Sequence, residues 1–168
     1  MYETKSEVEA LRRLLDRSSA DAGVHLRSIF KSEHRLTARQ VLGCLQGVKQ
    51  VAAATVNSKG EPRVAPIDCV FYHGRFYLST EAKSLRARHL ARRPRISLTF
   101  FEGADPVIIV HGRTSFVRKG HPDFSSLDSE WVKAYSTSTT SLSDSVLFIR
   151  VEPEIMFAYA FHPERFSG

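Results

Sequence analysis

The sequence predicts a mainly β fold, an antiparallel β-barrel with flanking helices. From Gln50 onward, short segments rich in β-branched and aromatic residues alternate with turns of Gly, Asn, Ser and Pro. Few helical segments separate these strands, and a Gly-rich GxGxxG turn of the dinucleotide-binding type is absent from the sequence. Strands joined mostly by short turns favour a closed or partly closed barrel over a doubly wound α/β sheet.

The length of 168 residues fits one domain, and 42% hydrophobic with 25% charged residues is an ordinary globular composition. Within it we predict an N-terminal helical segment over residues 1–48, a barrel over 49–162 and a tail over 163–168. The net charge, 24 minus 18 or +6, suits nucleic acid or a phosphorylated small molecule.

Three helical segments are predicted before the barrel. Ser6-Glu7-Val8-Glu9 has the pattern of a capping box, and the helix that it begins is expected to run to about Arg17. Val24 to Phe30 predicts a short helical turn. Thr37-Ala38-Arg39-Gln40 is a second capping pattern. We expect these helices to cover a barrel end or a neighbouring subunit.

The next three strands are predicted to form an antiparallel meander. They span Val51 to Val56, Arg63 to Tyr72 and Arg75 to Thr80. Asn57 to Gly60 forms the first turn by composition, and His73-Gly74 has the length of a two-residue hairpin connection.

A second hairpin is predicted from Arg95 to Phe101 and from Val107 to Val117. Its segment Val107 to Val110 lacks alternation, which predicts burial on both faces. An amphipathic helix should then end near Tyr135, with Phe124, Leu127 and Trp131 on its apolar edge.

The final part of the barrel begins after a Ser/Thr-rich segment. Ser136 to Ser145 is predicted to be a mobile loop, either a plain connection or a lid. Two last strands are expected, Val146 to Val151 and Ile155 to Phe161, with an interruption at Pro153.

Positive charge is concentrated between Lys83 and Arg95, where six residues are Lys or Arg and none is acidic. A basic helix is predicted from about Ser84 to Arg93. A helix start exposes unpaired N–H groups and the positive end of the helix dipole, so a phosphate is a favourable ligand there. A solvated basic helix without a ligand is the alternative.

Several single residues have structural interpretations. Asp68 lies in an apolar strand and is expected to pair with a nearby Arg. His111 is expected to be a hydrogen-bonded core histidine. Cys44 and Cys69 are too few for a disulfide framework, and no Cys or His spacing indicates a metal site. A charged N-terminus and the lack of a long apolar run predict a cytoplasmic protein without a signal peptide or membrane anchor.

Three sequence blocks, ATVNSKGEPRVAPID, GRFYLSTEAKSLRARHLARRPRISL and IIVHGRTSFV, resemble the pyridoxamine 5′-phosphate oxidase-like superfamily of flavin-binding split β-barrels. The resemblance covers roughly Thr37 to Val117. It implies a homodimer with FMN at the subunit interface and a small-molecule substrate.

The resemblance also implies a set of cofactor-binding residues. The first four would lie along the isoalloxazine ring and ribityl chain, the next two would contact the flavin or its phosphate, and the last four lie at the phosphate clamp: Arg63, Val64, Ala65, Pro66, Ser79, Thr80, Lys83, Ser84, Leu85 and Arg86. Ser84 and Arg86 occupy the outer positions of the family's S-R-K phosphate clamp. Leu85 replaces its middle Arg, and Lys83 is close enough in sequence to replace that charge.

Two departures from the family pattern limit the reaction. Members that oxidise pyridoxamine phosphate carry a Lys at the position of Asp68 and an Arg-x-His pair near the C-terminus, which this chain lacks. An aspartate would repel the substrate phosphate, so vitamin B6 oxidase activity is not expected. In those enzymes a Gln also contacts the flavin, and the corresponding position of this chain lies near the apolar Val107.

These observations leave three hypotheses for function. The first is an FMN-dependent oxidoreductase that transfers a hydride to or from a small molecule, and the second is a reductase that uses the deazaflavin coenzyme F420. The third is a non-enzymatic module, either a flavin store or sensor or a nucleic-acid-binding barrel, the last being disfavoured because the aromatic alternation fits a core. No catalytic acid or base is assigned, since hydride transfer requires none.

Overall fold

The computed structural model describes residues 2–167. Its helices and strands have the following bounds: α1 Lys5–Ala20, α2 Val24–Ile29, α3 Ala38–Cys44, β1 Val48–Val56, β2 Pro62–Tyr72, β3 Arg75–Glu81, α4 Leu85–Arg92, β4 Arg95–Phe101, β5 Val107–Val117, α5 Phe124–Tyr135, α6 Thr139–Leu142 and β6 Val146–Tyr159. Within the described range, no helix combines the length and the hydropathy that a membrane span requires.

The six strands close into an antiparallel barrel in the order β1-β2-β3-β6-β5-β4, which confirms the predicted fold class. The predicted meander β1-β2-β3 and hairpin β4-β5 are both present. His73 and Gly74 connect β2 to β3 with φ angles of 49° and 75°, the left-handed conformations that a two-residue turn of this hand requires. The ring closes where β1 pairs with β4 through three residue pairs.

The main core fills the barrel interior and continues under the N-terminal helices. Inward-facing side chains such as Val51 and Leu78 belong to the same buried cluster as Leu11 of α1 and Val41 of α3. Helix α1 also contacts β6 along the barrel wall. The N-terminal helices therefore share the apolar interior of the barrel.

A second, smaller core lies on the outer face of the barrel under α5. Phe124, Leu127 and Trp131 pack there against Val70 and Phe148, as their spacing predicted. The Trp131 and Phe148 ring centroids lie 4.9 Å apart. This packing fixes α5, and therefore the segment that follows it, against β2 and β6.

The first capping box is formed by Thr4 and Glu7, so the predicted box beginning at Ser6 was wrong. The Thr4 hydroxyl accepts from the Glu7 N–H at 3.3 Å, and the Glu7 carboxylate accepts from the Thr4 N–H at 2.7 Å. Helix α1 consequently starts at Lys5 and continues to Ala20, beyond the predicted end. The predicted box at Thr37 and Gln40 is confirmed.

The last strand is continuous, so the predicted interruption at Pro153 was also wrong. Gly112 of β5 is opposite Pro153 and His111 is opposite Ile155, which leaves Glu154 as the extra residue of a bulge. The Glu154 carboxylate accepts from Arg113 of the adjacent strand β5 and from Arg95 of β4, the strand beyond it. The proline is accommodated at the irregularity instead of ending the strand.

Two other expectations, one about burial and one about a loop, were wrong. Val107 and Ile109 are half-buried while Ile108 and Val110 are buried, so β5 alternates instead of being buried on both faces. The predicted mobile loop after α5 contains the short helix α6. The predicted tail, residues 163–168, includes a 3-10 turn at Pro163–Arg165 and ends at Gly168, which lies outside the described residues.

Candidate functional site

Strands β2 and β3 diverge and open a gap in the barrel wall. They pair only between Cys69–Tyr72 and Arg75–Leu78. Beyond that point β2 remains paired with β1, and β3 remains paired with β6. We call the gap between residues 62–68 of β2 and residues 79–81 of β3 the split. Residues 62–66 are all exposed, because within residues 2–167 only one edge of this part of β2, the edge along β1, is paired with a strand.

Helix α4 begins at the mouth of the split. Ser84 is its N-cap, and the Ser84 hydroxyl accepts from the Ala87 N–H at 3.1 Å and from the Thr80 hydroxyl at 3.0 Å. Its own hydrogen therefore remains available to a ligand. Within residues 2–167, the N–H groups of Leu85 and Arg86 have no hydrogen-bond acceptor. The helix start thus offers several donors to an anion.

Arg86 reaches across the split from α4 to β2. Its Nη2 donates to the carbonyl oxygens of Ala65 at 3.3 Å and Pro66 at 3.5 Å. Burial lowers the pKa of the Arg86 guanidinium, because part of its hydration shell is lost. No carboxylate in the described part of the chain pairs with it. A partly desolvated cation without an anionic partner fits an anionic ligand.

The other predicted cofactor residues fall into three groups. Ser79 lies on the outer face of the split and Thr80 holds the helix cap through Ser84. Arg63 is instead paired with Glu61 at 2.7 Å, the ordinary salt bridge of an exposed strand end. The remaining members are exposed and contact no polar partner in the range described: Val64, Lys83 and Leu85.

An open cleft of about 570 Å³ adjoins the split on the outer face of the barrel. We call it the outer cleft. The strands contribute Gln50, Pro66, Ile67, Asp68 and Ser79, and α5 and the segment after it contribute Trp131, Tyr135, Thr137, Thr139 and Leu142. Its size suits a small molecule. Pro66 and Ser79 also border the split, so the outer cleft and the split are adjacent.

Asp68 faces the outer cleft and does not pair with an Arg, contrary to prediction. Its Oδ2 accepts from the Tyr135 hydroxyl at 3.1 Å. Burial and this hydrogen bond both raise the pKa of Tyr135, so the phenol stays protonated at neutral pH. His111 is also corrected: it is exposed, and its Nδ1 is bonded to the Ser97 hydroxyl at 2.8 Å.

The wall of the outer cleft is ordered by Asp128. Its carboxylate accepts from the Ser138 hydroxyl at 2.6 Å, and from the Thr139 N–H at 2.7 Å and hydroxyl at 2.6 Å. Burial alone would raise the pKa of Asp128, but these hydrogen bonds outweigh it and the pKa is lowered. Sequence composition gave no indication of this tertiary contact, so the segment was predicted as a mobile loop.

A basic cleft of about 580 Å³ lies on the opposite side of α4, between that helix and the β1–β2 turn. We call it the arginine cleft. Arg93 crosses it and donates to the carbonyl oxygens of Asn57 and Ser58. Arg88 and Arg92 are exposed, and neither forms a salt bridge within residues 2–167. Helix α4 therefore separates the cation at the split, Arg86, from the cations of the arginine cleft, such as Arg88 and Arg92.

Residues 37–158 match the family model for pyridoxamine 5′-phosphate oxidase. The chain belongs to the pyridoxamine 5′-phosphate oxidase family. Membership confirms the resemblance and agrees with the barrel that the structure contains. No curated protein sequence matches the chain.

Solved structures with the same fold belong to proteins of diverse kinds. A conserved hypothetical protein, Rv2991 of Mycobacterium tuberculosis, is 15% identical with a TM-score of 0.69, covering 82% of this chain and 93% of its own. HutZ, a heme storage protein of Vibrio cholerae, is 18% identical with a TM-score of 0.61, covering 67% and 87%. An F420 reductase is 16% identical with a TM-score of 0.56, covering 67% and 91%. At these identities the likeness shows the fold alone.

The residues that sequence reasoning missed belong to the outer cleft. Trp131 was assigned only to the core, and Tyr135 only to a helix end, although both also line the cleft. They follow Asp68 by more than sixty positions in the sequence, and no sequence pattern shows that they lie beside Asp68 in the fold. The unusual feature that could have indicated the cleft was a carboxylate in an apolar strand.

Proposed function

We propose that this family member binds a phosphorylated flavin, FMN, in the split and transfers a hydride between it and a small molecule. The main support is Arg86, a partly desolvated cation that lacks a carboxylate partner in the described range and lies beside the free N–H groups at the start of α4. Together they form a site that favours a phosphate over a neutral group.

The protein side of this function is anchoring and positioning. Ser84 and Arg86 would hold the phosphate, and the exposed strand end of β2 would lie along the ring. Bound FMN would supply the hydride chemistry. Arg86 would also stabilise negative charge on the cofactor. No side chain of the split is assigned a proton transfer.

We place the cofactor between two subunits of a homodimer. The outer face that β1, β4 and β5 share has five small or half-buried side chains beside the exposed His111: Ala52, Ala54, Ser97, Thr99 and Ile109. Two large apolar side chains are exposed near the split, Val64 at 66% and Leu85 at 64%. A partner subunit on this face would bury both and would close the split.

The deazaflavin coenzyme F420 is the second candidate, and the arginine cleft favours it. That coenzyme extends beyond its phosphate into an acidic tail, which Arg88 and Arg92 on the far side of α4 would attract. The similarity to an F420 reductase is consistent with this alternative. Changing Arg92 to Glu should then weaken binding of the deazaflavin but leave FMN binding nearly unchanged.

A binding role without catalysis remains the third alternative. A flavin store would retain its cofactor but would not reduce or oxidise a small molecule faster than the free cofactor does. For nucleic acid, Phe71, Phe76 and Tyr77 are buried and offer no stacking surface to bases. A salt-sensitive shift of an oligonucleotide at physiological ionic strength would favour the nucleic-acid hypothesis instead.

The test is the spectrum and the mass of whatever the purified protein releases on denaturation. FMN absorbs at about 450 nm and the deazaflavin at about 420 nm. We expect the mass of FMN, or saturable FMN binding if the protein purifies without cofactor. Failure to release or to bind either cofactor would refute the proposal. Light scattering should give twice the mass of the 18.9 kDa chain.

A further inference from the structure

The outer cleft contains one acidic side chain and no basic one. Among its ten lining residues, Asp68 is the only carboxylate, and none is Lys, Arg or His. Oδ2 of Asp68 accepts from Tyr135, whereas Oδ1 accepts from no residue in the described range. The carboxylate is half-buried, and within residues 2–167 it has no cationic partner. A ligand cation could therefore reach a free oxygen of Asp68 inside the cleft.

The rest of the cleft is suited to a hydrocarbon or aromatic group. Pro66, Trp131 and Leu142 form apolar walls, and Leu142 is 77% exposed because no described residue covers it. Neutral hydroxyl and amide groups complete the lining. Apolar walls with one oriented charged group are typical of small-molecule sites, in which the walls supply affinity and the charge supplies selection.

From this arrangement we propose that the outer cleft binds a small molecule that joins a protonated amine to an apolar group, with the amine on Asp68. Near a partly dry surface the interaction of two charges is several times stronger than in water. An anionic ligand of the same shape would be repelled. The chain as a whole carries a net charge of +6, so long-range attraction would not favour a cation. Selection of the amine must come locally from Asp68.

This inference deepens the proposed function, because Pro66 and Ser79 border both the outer cleft and the split. An amine held on Asp68 would place the rest of the molecule beside the cofactor that we propose for the split. Basic amines thus become the substrate class to examine. The binding step itself needs no cofactor, so it can be tested separately.

Trp131 provides the readout. It is the only tryptophan of the chain and lines the outer cleft. The indole N–H resonance of the full chain would be followed at low ionic strength with three probes of similar shape, 2-phenylethylamine, 2-phenylethanol and 3-phenylpropionate. We expect saturable shifts with the amine and at least about tenfold weaker binding of the other two, which corresponds to about 1.4 kcal/mol.

Two variants locate the charge that selects the amine. Asp68→Asn removes the charge with little change of shape and should weaken amine binding about tenfold while leaving the alcohol unchanged. Asp16→Asn removes an equal charge from the exposed face of α1, outside the cleft, and should change neither. The comparison of the three probes with the unmodified chain stands by itself if Asp68→Asn does not fold.

Equal binding of the three probes, or an amine affinity that Asp68→Asn does not change, would overturn the inference. So would the absence of any saturable Trp131 response, including the case in which a cation of a partner subunit already occupies Asp68. A purified protein that neither contains nor binds a flavin, yet prefers the amine, would refute the proposed function and leave this inference standing.

Discussion

Replacing Arg86 with Glu should weaken FMN binding at least about 30-fold, and replacing Arg92 with Glu should not. Both changes lower the net charge from +6 to +4, that is +6 minus 2, so any effect of overall charge is shared. Arg86 is partly desolvated at the split, where two charges about 5 Å apart interact by about 3 kcal/mol at an effective dielectric constant of 20. Allowing for relaxation and water, we expect a loss of about 2 kcal/mol or more.

Arg92 provides the matched control because it lies on the same helix, is exposed and forms no salt bridge in the described range. It follows Arg86 by six positions, or about 9 Å along the helix axis. At that distance in water, with screening by physiological salt, the same charge reversal changes binding by less than about 0.5 kcal/mol. The Arg92 variant should therefore bind FMN within about twofold of the unmodified chain.

The assay is quenching of flavin fluorescence during titration, with thermal unfolding of each variant as a check. The two hydrogen bonds that Arg86 donates are long, so its loss should cost the fold only about 1 kcal/mol. Equal affinities of the two variants, or an Arg86 variant that binds like the unmodified chain, would mean that the phosphate is not held at the split.

Three further predictions concern the scaffold. Thr4→Ala should destabilise the protein by about 1 kcal/mol and Ser6→Ala by much less, because only Thr4 caps α1; equal effects in chemical denaturation would contradict this capping. Gly112→Ala should lower the free energy of unfolding by about 3 kcal/mol or more, because the added Cβ would lie 2.3 Å from a backbone oxygen of β6. The control Gly23→Ala adds its Cβ in open space and should lower the free energy of unfolding by well under 1 kcal/mol. Asp128→Ala should cost about 2 kcal/mol at pH 7. Since the folded pKa of Asp128 is lowered, its contribution to the free energy of unfolding is complete above the unfolded pKa near 3.8 and is lost as the pH falls through the lower folded pKa. The difference in stability between Asp128→Ala and the unmodified chain should therefore shrink below about pH 4. A difference in stability that does not depend on pH would argue against a role for the charge.

Much of the barrel could be predicted because its signals are local. Alternating apolar residues, the two-residue turn at His73 and Gly74 and the capping pattern at Thr37 depend on neighbours within a few positions. The start of α4 is local in the same sense, since Ser84 caps the helix that its sequence predicts. The helix start at which we propose a phosphate site was therefore accessible to sequence reasoning.

The errors occurred where distant residues decide the local structure. The Ser/Thr-rich segment after α5 has the composition of a loop, yet Asp128 accepts its hydroxyl and amide hydrogens and orders α6. Pro153 has the character of a strand breaker, yet it lies opposite Gly112 at a bulge. At the N-terminus, Thr4 and Ser6 both match a capping pattern, and the structure uses Thr4.

The candidate site likewise combines residues that are close in sequence with residues that only the fold brings together. The cations and hydroxyls of the proposed phosphate site lie within a few positions of one another, and the sequence indicated them together. The outer cleft combines Asp68 with Tyr135, which come together only because α5 packs on the outer face of the barrel. Because the sequence carries no signal of that packing, it predicted that Asp68 pairs with an arginine.

The backbone amide resonances at the start of α4 test the account most directly. During titration with FMN, we predict saturable shifts at Leu85 and Arg86, whose N–H groups have no acceptor in the described range, with the same dissociation constant that the flavin signal reports. Unchanged resonances at these two residues, with the shifts located instead at Arg88 and Arg92 in the arginine cleft, would contradict a phosphate site at the split.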